Sequence, residues 1–472
     1  MAMTIEQQPA YNLQPAGTDW IFTISSTNVS GNYKYKFIAD LQIARTNPAS
    51  NTIRLKFSPN DEGVGIINIS EILQDYVNFD LLGYYNPTSS IKAEFKGTDA
   101  SDTNRFGLPM IDKLSLSENS VFRLNIKFGE EYSTTANGAP TTYTNQVAFD
   151  DKIFYNGVSY NNEQTFTGGN YGLNPADWNG KNFILNGATG CALTNAPEDA
   201  QYIGDNEYAT LSHLNAWTGA EVCQASKAVI KYYQDDNTLL TSRTISYTTT
   251  NGGENGTSRT AFTFAPKQLQ HVGVGPANVK GWDTVPSAWA NWDYYIVEFQ
   301  DSGSVARSKE YKYIRRDADC KGYEKIRLCW INKYGVYDYY TFTKKSTRNT
   351  KIDRNFYSSI KGNWNGSTFS KDGMDRGRGA ITTKATERIT INSDWISTDE
   401  EAAYLEELFI SPAVWILSDY DSTDTGDADY GKYMNPVVIT NTDYQRYTRV
   451  NDKVSLYTLD LEYSIDKKVQ KA

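Results

Sequence analysis

The chain has 472 residues, 39% hydrophobic side chains and a formal net charge of -10, enough length for several cores and too acidic a balance to favour a nucleic-acid backbone. Tyrosine (34 residues) far outnumbers methionine (5), a bias toward rings that suits strands over helices. No stretch approaches the ~18 consecutive apolar residues of a membrane helix, and MAMTIEQQPAYNLQP lacks the basic and apolar parts of a cleaved export signal, so neither membrane insertion nor signal-directed export is expected.

In chain order, WIFTISS (20–26), YKYKFIADLQIA (33–44) and TIRLKFSP (52–59) alternate with period two between Asn, Gly, Ser and Pro clusters, which predicts strands. Tyr35, Phe37, Ala39, Leu41 and Ile43 fall on one face and form a core row. A short helix follows, with Asn68 as its cap, Glu71 completing a capping box, and Ile69, Ile72, Leu73 and Tyr76 at helical spacing. SVFRLNIKFGEEY (120–132) and QVAFDDKIFYNGV (146–158) return to strand alternation. Residues 156–215 shift to Asn, Gly, Thr and Ala, which predicts a long irregular insertion, either a contact surface or a solvated decoration. KAVIKYYQ, LLTSRTISYTT, RTAFTFAP, WDYYIVEFQ and ARSKEYKYIRR then read as five strands. Near the C-terminal end come ATERITINSDW, a helix capped by Ser397 with Glu400 at the capping-box position, and the strands in NPVVITN and KVSLYTLDLEYSI. The expected fold is mainly β, several β-sandwich-like domains with a few short helices, divided as 1–155, 156–318 and 319–472.

Reactive constellations are sparse. Cys191, Cys223, Cys320 and Cys329 form no close pair and read as buried thiols. His213 and His271 lie among apolar neighbours with no nucleophile motif around them, so both read as structural and no residue is assigned as catalytic. HVGVGPANVK lacks the GxxxxGK order followed by Ser or Thr, and Pro276 removes an amide, so a phosphate cradle is not expected. The acidic stretch 419–429 does not follow the order of a calcium loop and reads as solvated; no metal and no cofactor is assigned.

CWINKYGVYDYYTFTKKS (329–346), with the residues just before it, alternates large side chains on two arms around a break, which predicts a hairpin turning from Asn332 to Gly335. Burying an aromatic is worth about 1.5–3 kcal/mol, so Trp330 and the tyrosine row read as packing before recognition. This segment, extended as CKGYEKIRLCWINKYGVYDYYTFTKKS, together with SPNDEGVGIINISEILQDYV, HVGVGPANV and NPVVITNTDYQRY, resembles structural proteins of tailed bacteriophages that infect Bacteroidetes, crAss-like phages included. These stretches make up 69 of the 472 residues and carry packing and turn residues, no catalytic signature. The resemblance implies a component of a neck, tail or baseplate, found in the virion after assembly in the host cytoplasm, with copies of itself and other tail or neck proteins as partners. Two alternatives stand beside it. A receptor- or carbohydrate-binding adhesin would use Tyr171, Trp178, Trp217, Trp282 and Trp292 as contact aromatics, and a polysaccharide-degrading enzyme would need two carboxylates converging in a cleft.

Overall fold

The computed structural model describes residues 3–44, 52–80, 109–110, 113–117, 119–159, 163–214, 223–246, 269–280, 291–316, 322–374, 377–419, 434–441, 443–444 and 455–467. The fold is mainly β, with several sheets and few, short helices. By Cα proximity the chain forms two compact units: one made of Met1–Asp317, Ile331–Tyr339 and Asp419–Asp421, the other of Ala318–Trp330, Tyr340–Ser418 and Ser422–Ala472.

The first unit holds two sandwiches. One stacks a three-stranded sheet (Met3–Gln7, Ile21–Ser26, Gly65–Asn68) on a five-stranded sheet ordered Leu13–Gly17, Thr141–Val158, Val121–Ser133, Tyr33–Ala44, Ile53–Phe57. Trp20, Phe22 and Ile24 meet Phe37, Leu41, Ile126 and Phe128 between the sheets, because alternate residues of each strand point inward. The short helix Ser70–Tyr76 flanks this core but starts differently from the sequence expectation. Ile69 is the N-cap and makes no side-chain cap bond, whereas Asn68 Oδ1 accepts from Ser70 N at 3.1 Å and also from Trp20 N at 3.1 Å. Asn68 ties the helix entry to a neighbouring strand, so no capping box forms.

The second sandwich pairs the five-stranded sheet Gln201–Ile203, Tyr311–Arg315, Tyr294–Gln300, Lys227–Tyr233, Leu239–Ser246 with Thr210–Leu214, Leu269–Gly273 and Leu114–Leu116. RTAFTFAP lies outside the described residues. A further cluster joins Leu13, Val121, Ile153 and Tyr155 of one sandwich to Leu214 and Leu269 of the other, through Leu173, Trp178, Phe183, Ile184, Cys191 and Leu193. Within the predicted irregular insertion 156–215, these six side chains of the mostly irregular stretch 173–193 are core residues. The sequence boundary at 155 falls inside the strand Thr141–Val158, and Leu114–Leu116 pairs with Leu269–Gly273 on the far side of it.

The second unit carries strands of a seven-stranded sheet ordered Tyr337–Phe342, Ile326–Ile331, Val414–Leu417, Met434–Ile439, Thr458–Tyr463, Arg378–Asn392, Thr347–Ser358. The helix Asp399–Ile410 packs through Ala402, Tyr404, Leu405 and Leu408, with Tyr404 against Trp330 at 5.0 Å between ring centroids. Its N-cap is Thr398, not Ser397: Thr398 Oγ1 accepts from Glu401 N at 3.2 Å. Asp399, Glu400 and Glu401 occupy the positive first turn, as their charge favours.

Candidate interaction surface

The aromatics singled out from the sequence do not converge. Trp292 is 1% exposed, ringed by Tyr232 and Tyr295, with the Arg315 guanidinium 5.5 Å from its centroid. Trp178 is 2% exposed. Both are core residues and present no ring face to a ligand. Tyr171 is half-buried, its ring tilted against the exposed Phe166 at 4.7 Å between centroids in the small hairpin Thr165–Thr167/Asn170–Gly172. Trp217, Trp282 and Cys320 lie outside the described residues, as does all but Asp419 of the acidic stretch 419–429. Cys191, Cys223 and Cys329 are buried; burial pushes the Cys191 thiol above its ordinary pKa, which makes it a poor nucleophile.

Trp178 belongs to a cage closed by the tip of the predicted hairpin. The strands Ile326–Ile331 and Tyr337–Phe342 flank a turn in which Gly335 N donates to Asn332 O at 2.9 Å and Gly335 takes φ +75°. Only a residue without Cβ suits that position, because a Cβ there would fall on the Asn156 carbonyl. Asn332 Oδ1 accepts from Tyr334 N (3.0 Å) and Val336 N (3.2 Å), and its Nδ2 donates to Leu193 O and Asp338 Oδ2, each at 2.9 Å. The tip lysine, Lys333, pairs with the buried Glu163 at 3.1 Å and lies 5.2 Å from the Tyr334 centroid and 5.9 Å from that of Trp178. Trp178 Nε1 donates to the other Glu163 oxygen at 2.9 Å. The cage is therefore filled by the chain's own cation and acts as a strut. Burial pushes the nearby Lys181 below the usual lysine range while its Nζ donates to Thr194 O and Asn195 Oδ1.

A second buried cluster has the residue types of a hydrolase triad. Ser212 Oγ is 2.9 Å from His271 Nδ1, and His271 Nε2 is 3.4 Å from Asp80 Oδ2. Asp80 also accepts from Asn119 N, Ser120 N and Ser120 Oγ, and Ser212 sits mid-strand in Thr210–Leu214, every residue of which is buried. A nucleophile there reaches neither water nor substrate, so the arrangement fixes chain segments. His213 lies edge-on to Phe299 at 5.0 Å between centroids.

The surface feature that stands apart is residues 347–392 of the second unit, where only the stretch from Ala385 is predicted as regular structure from the sequence. Thr347–Ser358 and Arg378–Asn392 pair antiparallel from Thr347↔Thr390 to Ser358↔Arg378, with a bulge at Asn355/Phe356. On its other side Arg378–Asn392 pairs with Thr458–Tyr463 from Arg388 onward and makes one further bridge, Ala385↔Lys467, and Thr347–Ser358 is the sheet's edge strand. Beyond that root, about 20 Å of two-stranded ribbon runs without a neighbouring strand among the described residues. Every residue of Thr347–Ser358 is exposed. Ile352, Phe356, Tyr357 and Ile381 are exposed along the ribbon, and Ile360 (82%), Trp364 (61%), Phe369 and Met374 (87%) at its tip. Nine Lys or Arg face four Asp or Glu between 347 and 392, a net +5 that leaves -15 on the remainder of a chain of net -10. At the root, Arg348 pairs with Glu324, Lys384 with Asp466 and Arg388 with Glu462. Farther out, Arg354, Lys361 and Lys371 form no ion pair among the described residues, and Arg378 lies over the Phe356 ring at 4.3 Å. The excess of basic residues was the available sequence signal.

No protein-family model matches the chain, and no curated protein is significantly similar to it. Among solved structures it is similar to trypsin-activated alpha-2-macroglobulin from Escherichia coli (9% identity, 97% of this chain and 23% of that one, TM-score 0.16). It is also similar to the native conformation of the E. coli protein (8%, 83% and 22%, TM-score 0.18) and to a C-terminal fragment of the major pilin GBS80 of Streptococcus agalactiae (10%, 66% and 90%, TM-score 0.14). The chain spans less than a quarter of these two E. coli macroglobulin chains, and at these TM-scores the likeness carries no argument about fold or function.

Proposed function

We propose that this chain is a structural subunit of a tailed-bacteriophage virion, forming or attaching to a ring in the neck, tail or baseplate. The observation that carries the assembly reading is the ribbon at 347–392. A two-stranded hairpin with both faces in water is marginally stable, and an open edge with exposed rings invites a neighbouring chain. The phage setting rests on the sequence resemblance. Within the first unit, the buried Lys333–Glu163 pair and the hydrogen bonds that Asp80 accepts hold chain segments in place, as a part that bears contacts requires. Mass spectrometry of purified particles tests the proposal: the protein is expected at a fixed stoichiometry to the other tail or neck proteins, and its absence from particles overturns it.

The adhesin reading retains one favourable observation, the Tyr171–Phe166 pair, where the Phe166 ring is open to solvent. A glycan array read with wild type and Phe166→Ala separates the two: glycan binding lost in the variant supports an adhesin, and no binding by wild type removes it.

A further inference from the structure

Resting on the assembly reading, the geometry points to a specific partner for the ribbon: we infer that residues 347–392 dock on the acidic surface of a second copy of this chain, ribbon to body. The argument starts from charge. The ribbon carries net +5 and the remainder of the chain -15, so each copy offers both halves of a complementary pair. Like charge also decides the mode. Two ribbons laid edge to edge, the isologous pairing that an open edge strand would otherwise favour, bring two +5 segments together and repel. Ribbon to body places Arg354, Lys361 and Lys371, which form no ion pair among the described residues, against carboxylates. Association then buries Ile360, Trp364, Phe369 and Met374, the large apolar side chains gathered at the tip. A ribbon-to-body contact is heterologous, so each copy both gives and receives, and successive contacts close into a ring or run on as a filament.

The test uses the full chain in equal mixtures of isotopically light and heavy protein, treated with a carbodiimide, which joins an amine to a carboxylate only in direct contact. Cross-links between a light and a heavy copy are expected from Lys361 and Lys371 to Asp or Glu outside 347–392. Sedimentation should show a larger species that disperses as salt is raised, and that Lys361→Glu/Lys371→Glu reduces at least tenfold in apparent affinity. Intermolecular links confined to ribbon-ribbon pairs, or an assembled species unaffected by the double substitution, overturn the inference while leaving the assembly reading intact. A wild-type protein that stays monomeric at high concentration also overturns the inference, and the content of purified particles then decides the assembly reading separately.

Discussion

Two aromatic-rich hairpins follow each other in this chain and meet opposite fates. In the hairpin of Ile326–Ile331 and Tyr337–Phe342, Trp330, Tyr334, Tyr337 and Phe342 are buried, and the polar atoms of the turn find partners inside the protein. In the hairpin of Thr347–Ser358 and Arg378–Asn392, Phe356, Tyr357, Trp364 and Phe369 are exposed, and the edge strand has no neighbour on its outer side among the described residues. Ring content therefore does not separate packing from recognition. What separates them is whether nearby polar groups and strand edges are satisfied within the chain or left for another one.

Breaking the inward hairpin should have the largest effect. Gly335→Ala forces a Cβ onto the Asn156 carbonyl at φ +75°, and a loss of more than about 4 kcal/mol in urea unfolding is expected. Lys333→Met removes the cation paired with the buried Glu163 carboxylate, to which Trp178 and Asn179 donate as neutral groups, and should cost about 3 kcal/mol by the same measurement. At the helix beside Trp330, Thr398→Ala should cost about 1 kcal/mol while Ser397→Ala stays within about 0.5 kcal/mol, since only Thr398 accepts the cap bond.

Acid acts on the root of the outward hairpin. Asp466 is held below the usual carboxylate range, first by the Thr386 hydroxyl and then by Lys384. A carboxylate depressed in the folded state contributes stability above its unfolded pKa and loses it as pH falls through the folded value. Amide exchange at 384–388, corrected for intrinsic rate, should therefore accelerate below the ordinary carboxylate range, and Asp466→Asn should exchange faster at neutral pH with little further change on acidification. The smallest stability effect belongs to the outward rings: Trp364→Ser should stay within about 0.5 kcal/mol of wild type in the monomer, because the side chain is 61% exposed.

Much of the strand order was legible because period-two alternation survives wherever one face is buried, as in Tyr33–Ala44 and Lys227–Tyr233. Helix entries were misplaced by one residue, at Asn68 and Ser397, because several cap-competent side chains stand together and tertiary partners choose among them. The core role of 173–193 was hidden since Asn- and Gly-rich sequence signals turns and says nothing about what its scattered Leu, Trp and Phe pack against. The ribbon was harder to read for a related reason: Ile352, Phe356 and the adjacent Tyr357 keep no period-two apolar row, because neither face of the strand is buried.

The most direct test compares hydrogen exchange of residues 347–358 in the free protein and in intact particles. The account predicts fast exchange along the outer edge of this strand in the free chain and strong protection after assembly. Equal exchange in the two states, or protection already complete in the free protein, would contradict it.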